Sequence, residues 1–212
     1  MKTAERILLV SLELFNQQGE TNVSSVEIAL ELDISPGNLY YHFKGKESII
    51  TSLFAQYKSK MTKILNPPED QALELEEFFY YLLMIFQVSH EFRFLYRNPA
   101  EIADQYPAIA KSFRQILNQK EKVFDHYLKS FYDKDLLLGD DQQRQKIIQL
   151  IGLIATQTPN YQLLKGNDIN DGKYIYQSLG TILFALTPYM QMSKETYQEL
   201  YQTVNELSKD VA

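Results

Sequence analysis

Apolar residues recur along this chain at intervals of three and four, the spacing of one buried helical face. Ile7, Val10, Ser11, Leu14 and Phe15 mark a first helix that stops at Gly19. A short second helix follows, capped by Ser24 or Ser25, with Val26, Ile28, Ala29 and Leu32 expected inside. Asp33 suits the left-handed position that ends it, Ser35 the next N-cap, and Pro36 the first position of a third helix, where a missing N–H costs nothing. Within that helix Leu39 and Phe43 lie four apart and face inward. At 100° per residue Tyr41 then projects almost directly outward, with Asn38, Tyr40 and His42 on its flanks. A fourth helix, 46–65, buries Ile49, Ile50, Leu53, Phe54 and Tyr57.

The clearest break is Asn66-Pro67-Pro68-Glu69-Asp70, since consecutive prolines remove two backbone donors and disfavour helix before them. We place the boundary there, giving a domain over 1–46, a connecting helix over 47–66 and a second domain over 67–212. Helical periodicity continues to the end, while the alternating β-branched runs of strands are missing. The expected fold is all-α, an N-terminal three-helix unit and a larger C-terminal helical bundle, with about ten helices in total.

The C-terminal part carries three patterns. The segment 73–90 is apolar nearly all round (Phe78, Phe79, Tyr80, Tyr81, Leu82, Leu83, Ile85, Phe86), as for a helix buried on several sides. Pro159 falls inside an apparent helix over 141–165, where it should kink the helix and free a carbonyl near Ala155. Two further helices carry closely spaced small and branched residues, Ile147, Leu150, Ile151, Gly152 and Ile154 on one and Leu179, Gly180, Ile182, Leu183 and Leu186 on the other. They suit either a core contact or a two-fold four-helix pairing between two copies.

Composition narrows the chemistry. The chain has no cysteine, which excludes disulfides, thiolate metal sites and cysteine nucleophiles and fits a reducing cytoplasm. The apolar run at residues 7–10 is interrupted too early for a signal peptide, and no stretch reaches the length of a membrane helix, so a soluble protein away from membranes is expected. Phosphate-cradling loops, paired metal-ligand histidines and nucleophile elbows are lacking. His90 and His126 stand without partners at ligand spacing. No catalytic residue, metal or cofactor is expected. The net charge of −6 argues against nucleic acid if taken alone. Residues 1–63, however, carry seven Lys or Arg and seven Asp or Glu, so the acidity lies wholly behind the first four helices. The N-terminal unit can approach phosphates while the acidic part stays clear.

Two short helices joined by a tight turn, the second with a polar-aromatic outer face, describe a helix-turn-helix whose recognition helix enters the major groove. The run Ile28-Ala29, Ile34-Ser35, Gly37-Asn38-Leu39-Tyr40-Tyr41-His42-Phe43, Lys46-Glu47 resembles the signature of the TetR family of one-component regulators. The likeness extends in spacing back to Arg6-Ile7-Leu8, about the first quarter of the chain. Two positions depart from it: Asp33 stands where the family often has glycine, and Pro36 where a basic residue is frequent.

The resemblance implies that Ser25, Ser35, Asn38, Tyr40, Tyr41 and His42 touch phosphates or bases of a double-stranded operator and that Lys46 holds a phosphate. Gly37 lets the backbone approach closely. It also implies a small-molecule effector in the C-terminal bundle and a homodimer on two half-sites. Candidate effector contacts are Phe79, Leu82, Leu83, Phe86, Phe113 and Leu117. Candidate dimer contacts are Ile147, Leu150, Ile151, Ile154, Leu179, Ile182, Leu183 and Leu186. The expected function is a repressor released from a palindromic operator by an apolar or aromatic effector. The alternative is a helical small-molecule-binding protein whose helix-turn-helix no longer binds DNA.

Overall fold

Helix α1 (Thr3–Gln18) buries Ile7, Ser11 and Phe15, three residues four apart along one face, with Val10 and Leu14 half-buried beside them. It ends at Gly19, whose φ of +87° a side chain would resist. Helix α2 (Ser25–Glu31) is capped by Ser24, whose Oγ accepts from the Glu27 N–H while the Glu27 carboxylate accepts from the Ser24 N–H. Ile28, Ala29 and Leu32 are buried as expected, but Val26 is 53% exposed. The reason is angular: Val26 precedes Ile28 by two residues, about 200° of helical rotation, so the two cannot share a face. Asp33 takes the left-handed conformation at φ +54°, and the Ile34 N–H returns to the Ala29 carbonyl. Ser35 caps α3 (Pro36–His42), with Pro36 in its first turn.

The computed structural model describes residues 2–66, 74–191 and 193–209, so the Pro67-Pro68 break and most of the expected boundary lie outside the described residues. Helix α4 (Lys46–Ile64) leaves the N-terminal unit and runs into the bundle formed by α5 (Leu75–Glu91), α6 (Phe94–Arg97), α7 (Pro99–Gln105), α8 (Pro107–Asp133), α9 (Asp141–Leu164), α10 (Lys173–Leu186) and α11 (Lys194–Lys209). It packs on α1 at one end and on α5 and α8 at the other. All five predicted core residues of α4 are buried, Tyr57 among them, with Met61 in addition. Among the described residues the only extended pairing is one antiparallel bridge between Leu137 and Met190.

In the bundle α5 turns Phe78, Phe79, Tyr81, Leu82, Ile85 and Phe86 inward, while Tyr80 is 61% exposed. The Phe78 ring meets Phe124, Tyr127 and Phe131 of α8 at centroid distances of 5.2 to 6.2 Å, which joins α5 to α8 through aromatic edges. Helix α9 runs through Pro159 as one element. Pro159 is itself buried, and the Thr156 and Thr158 hydroxyls donate to the carbonyls of Gly152 and Ile154 in the turn before it.

Asn16 ties the N-terminal unit to the bundle. Its Nδ2 donates to the Glu91 carbonyl at 2.8 Å and its Oδ1 accepts from the Phe94 N–H at 3.0 Å, with only 4% of the residue exposed. Arg97 adds bonds from Nη1 to the carbonyls of Asn16 and Gln17, and Lys60 of α4 pairs with Glu91.

Candidate nucleic-acid interface and regulatory bundle

The face of α3 away from Leu39 is open. Tyr41 is 76% and Tyr40 57% exposed, and Asn38 and His42 are exposed beside them. Large aromatics left in water without an intrachain partner surface are costly unless something covers them. The Lys44 ammonium lies 4.6 Å from the Tyr40 ring centroid, placing a cation on the same surface. The His42 imidazole meets the Tyr41 ring edge-on at 5.2 Å, which limits the orientations of both.

The start of α3 is preset. The Ser35 Oγ accepts from the Asn38 N–H at 3.1 Å and the Ser35 carbonyl accepts from the Leu39 N–H; Pro36 carries no N–H, which leaves the Gly37 N–H as the open donor of the first turn among the described residues. A methyl group at Gly37 would meet no intrachain atom closer than the Ser35 Oγ at 3.9 Å, so nothing inside the chain demands glycine there. Ser25 is the first residue of α2 and half-buried. The cap is its neighbour Ser24.

Lys46 opens α4 and is already paired within the chain. Its Nζ donates to the Glu20 carbonyl at 3.0 Å and pairs with Glu20 Oε1 at 3.2 Å. Glu20 is 5% exposed, and the same carboxylate oxygen accepts from the Tyr106 hydroxyl at 2.7 Å. Burial, followed by the carboxylate beside it, holds the Tyr106 phenol well above its ordinary pKa, so it remains a donor. Glu20, Lys46 and Tyr106 thus join the first turn, the connecting helix and the α7–α8 corner. Sequence reasoning missed Glu20 and Tyr106 because neither falls on a periodic face.

Sequence profiles now bear on this geometry. The profile described as bacterial regulatory proteins, tetR family, matches residues 7–53, and that of the TetR bacterial transcriptional repressor matches residues 56–198. The chain belongs to the TetR family. It is similar to the HTH-type transcriptional regulator AcrR of Shigella flexneri, 23% identical over 168 residues that make up 76% of this chain and 78% of AcrR. A local match to the HTH-type regulator YuxN of Bacillus subtilis is 40% identical over 68 residues, 31% of this chain and 23% of YuxN. The crystal structure of a TetR-family transcriptional regulator from Marinobacter aquaeolei VT8 superimposes with a TM-score of 0.79 at 29% identity, covering 100% of this chain and 99% of that one. This TetR-family chain is therefore a helix-turn-helix transcriptional regulator.

The candidate effector residues lie at different places in the bundle. Phe79 and Leu83 line a cavity of about 190 Å³ between α5, α10 and α11, with Tyr80, Leu179 and Leu200. Leu82 and Phe86 sit on the buried side of α5. Phe113 lines a separate cavity of about 110 Å³ between α6, α7 and α8, and Leu117 lies half-buried one turn further along α8.

The candidate dimer residues divide in a similar way. Ile147, Ile151, Leu179, Ile182, Leu183 and Leu186 are buried within the chain's own bundle. Ile154 is half-buried, and Leu150 is 40% exposed. Leu150, Leu153, Tyr161 and Leu164 instead form an exposed stripe on α9, with Phe184, 72% exposed, on the adjacent α10. Both faces of α9 carry apolar residues, and periodicity alone did not say which face met the core.

Among the described residues no helix is long and apolar enough to cross a membrane, and no cluster of three metal-ligating side chains is present.

Proposed function

We propose that the chain is a homodimeric repressor that holds a palindromic operator through residues 24–46 and releases it when a small apolar or aromatic effector enters its C-terminal bundle. The supporting observation is the exposed α3 face, on which Tyr40, Tyr41, Asn38 and His42 stand over a capped helix start with Lys44 alongside. Tyrosine hydroxyls and the Gly37 N–H suit phosphate oxygens, while the rings suit thymine methyls. In this reading residues 1–46 bind DNA, 47–66 carry the signal, and 67–212 bind the effector and pair two chains in the cytoplasm.

The α9 stripe with Phe184 supports a second copy as its cover, because these side chains run along one face over more than three helical turns. Two α3 helices held about 34 Å apart would then meet successive major grooves. The test is a salt titration of binding to the DNA upstream of the gene against scrambled DNA, with wild type and Tyr41→Ala. Specific binding that weakens with salt and is lost in the variant is expected. Equal, weak binding to both DNAs overturns the repressor reading and favours a small-molecule-binding protein.

A further inference from the structure

The interior of the bundle holds a cation that no carboxylate among the described residues balances. Lys120 of α8 is 3% exposed; its Nζ donates to the Tyr96 hydroxyl oxygen at 3.1 Å and lies 5.6 Å from the centroid of that ring. Among the described residues no Asp or Glu pairs with it. An ammonium is strongly hydrated, and one neutral phenol replaces little of the water it gave up. The Tyr96 hydroxyl also bonds the Tyr57 hydroxyl of α4 at 2.5 Å and accepts from Ser89 of α5 at 3.2 Å. Two hydrogen bonds therefore separate the lone cation from the connecting helix.

A route to it lies next door. Phe113 stands seven residues before Lys120, so the two share a face of α8 at about 10 Å separation along the axis. The Phe113 ring stacks on Tyr57 at 5.9 Å and meets Tyr96 edge-on at 5.3 Å. It also lines the cavity of about 110 Å³, with Leu95, Ile102 and Ala110, and Arg114 at the same cavity has no carboxylate partner among the described residues either. The ring thus lines the cavity and also meets Tyr96, the phenol to which Lys120 donates.

We propose that this is the binding site of a small carboxylate-headed amphiphile, which turns Phe113 aside and pairs its carboxylate with Lys120 while its apolar body, about 10 Å long, lies back along α8 toward the cavity. A carboxylate is a stronger partner for an ammonium than a phenol is, so pairing draws Lys120 off Tyr96 and loosens the bond that Tyr96 makes to Tyr57 on α4. This inference rests on the effector-responsive reading above and names the chemical class of the effector.

The test uses the full chain and two probes of equal length, octanoate and its neutral amide, octanamide, titrated calorimetrically. Wild type should bind octanoate about tenfold or more tightly than octanamide. Lys120→Met should keep its melting temperature or raise it, because it removes an unbalanced charge, and should lose the preference for octanoate; Phe113→Ala should bind octanoate at least as well as wild type. Equal affinities for the two probes in wild type, no octanoate binding, or an octanoate preference that survives in Lys120→Met overturns the proposal. If Lys120→Met fails to fold, the lysine is structural and the proposal falls. The operator assay separates the two readings: octanoate bound through Lys120 without weakening DNA binding keeps this site and removes its coupling to DNA. Specific DNA binding with no preference for octanoate does the reverse.

Discussion

Replacing Asn16 by alanine should be far more damaging than its place on a surface-facing N-terminal helix suggests. The Asn16 side chain satisfies two main-chain groups of another part of the molecule, the Glu91 carbonyl at the end of α5 and the Phe94 N–H at the start of α6. Alanine leaves both without a partner. Phe94 is 2% exposed, so its N–H bears close to the full cost of an unmet buried donor, whereas the Glu91 carbonyl is only partly buried. At about 1–3 kcal/mol for a buried unsatisfied group, the pair amounts to about 2–4 kcal/mol. For a chain of this length that lowers the melting temperature by about 4–15 °C, measured by calorimetry or circular dichroism. Arg97→Ala is the matched control: it removes bonds to the carbonyls of Asn16 and Gln17 at a partly exposed site and should cost about 1 kcal/mol or less. A melting temperature for Asn16→Ala within about 2 °C of wild type would refute the tether.

Ser35→Ala should cost about 1 kcal/mol by removing the cap on the Asn38 N–H, seen as a lower melting temperature, and no shift would show that α3 does not depend on its cap. Burial, reinforced by the Arg93 guanidinium, presses the His90 imidazole down to about 4, below its unfolded value near 6.5. The unfolded chain therefore takes up the proton first, and the histidine's contribution to stability, complete above about pH 6.5, is lost as pH falls toward 4. His90→Gln should flatten the pH dependence of melting in that window, and an unchanged slope would place its cause elsewhere. Phe184→Glu should leave helicity intact while raising the dimer dissociation constant by about tenfold or more, read by analytical ultracentrifugation. A dimer of unchanged affinity would move the interface off α10.

Local rules carried the N-terminal unit well. Gly19, Asp33, Ser35 and Pro36 each have a conformational reason to stand where they do, so the ends of α1, α2 and α3 were readable residue by residue. Val26 shows the limit, since a valine beside a short apolar stripe was assigned inward although helical rotation carries it to the other side. In the bundle the existence of the helices was legible and their facing was not. A helix such as α9, with Ile147, Ile148 and Ile151 inward and Leu150, Leu153 and Leu164 outward, carries two apolar stripes, and only tertiary packing distinguishes them. The polar contacts between parts of the chain, made by Asn16, Glu20, Tyr106 and Lys120, left no periodic trace at all. Each joins residues at least 24 positions apart, and a single buried polar residue reads in sequence like any exposed one.

Polar contacts of this kind also anchor one element along its length. Helix α4 is held at its start by Lys46 on Glu20, in its middle by Tyr57 on Tyr96, and toward its end by Lys60 on Glu91. Every partner lies outside the helix, and Glu20 is itself held by Tyr106 of the bundle. A hydrophobic contact tolerates a small slide, whereas a hydrogen bond weakens steeply when its distance or angle changes. Three such anchors make the position of α4 a choice between arrangements more than a gradual drift. A coupling free energy between two sites is typically about 1–3 kcal/mol, which is the scale of losing one or two of these bonds. Displacing the middle anchor is therefore enough, in magnitude, to alter where Lys46 and the neighbouring α3 stand. In the effector-responsive reading proposed above, a ligand need not reach the N-terminal unit to affect it. Its differential contact with Tyr96 and Tyr57 suffices, provided that Asn16 keeps α1 fixed against α5 and α6 while α4 moves.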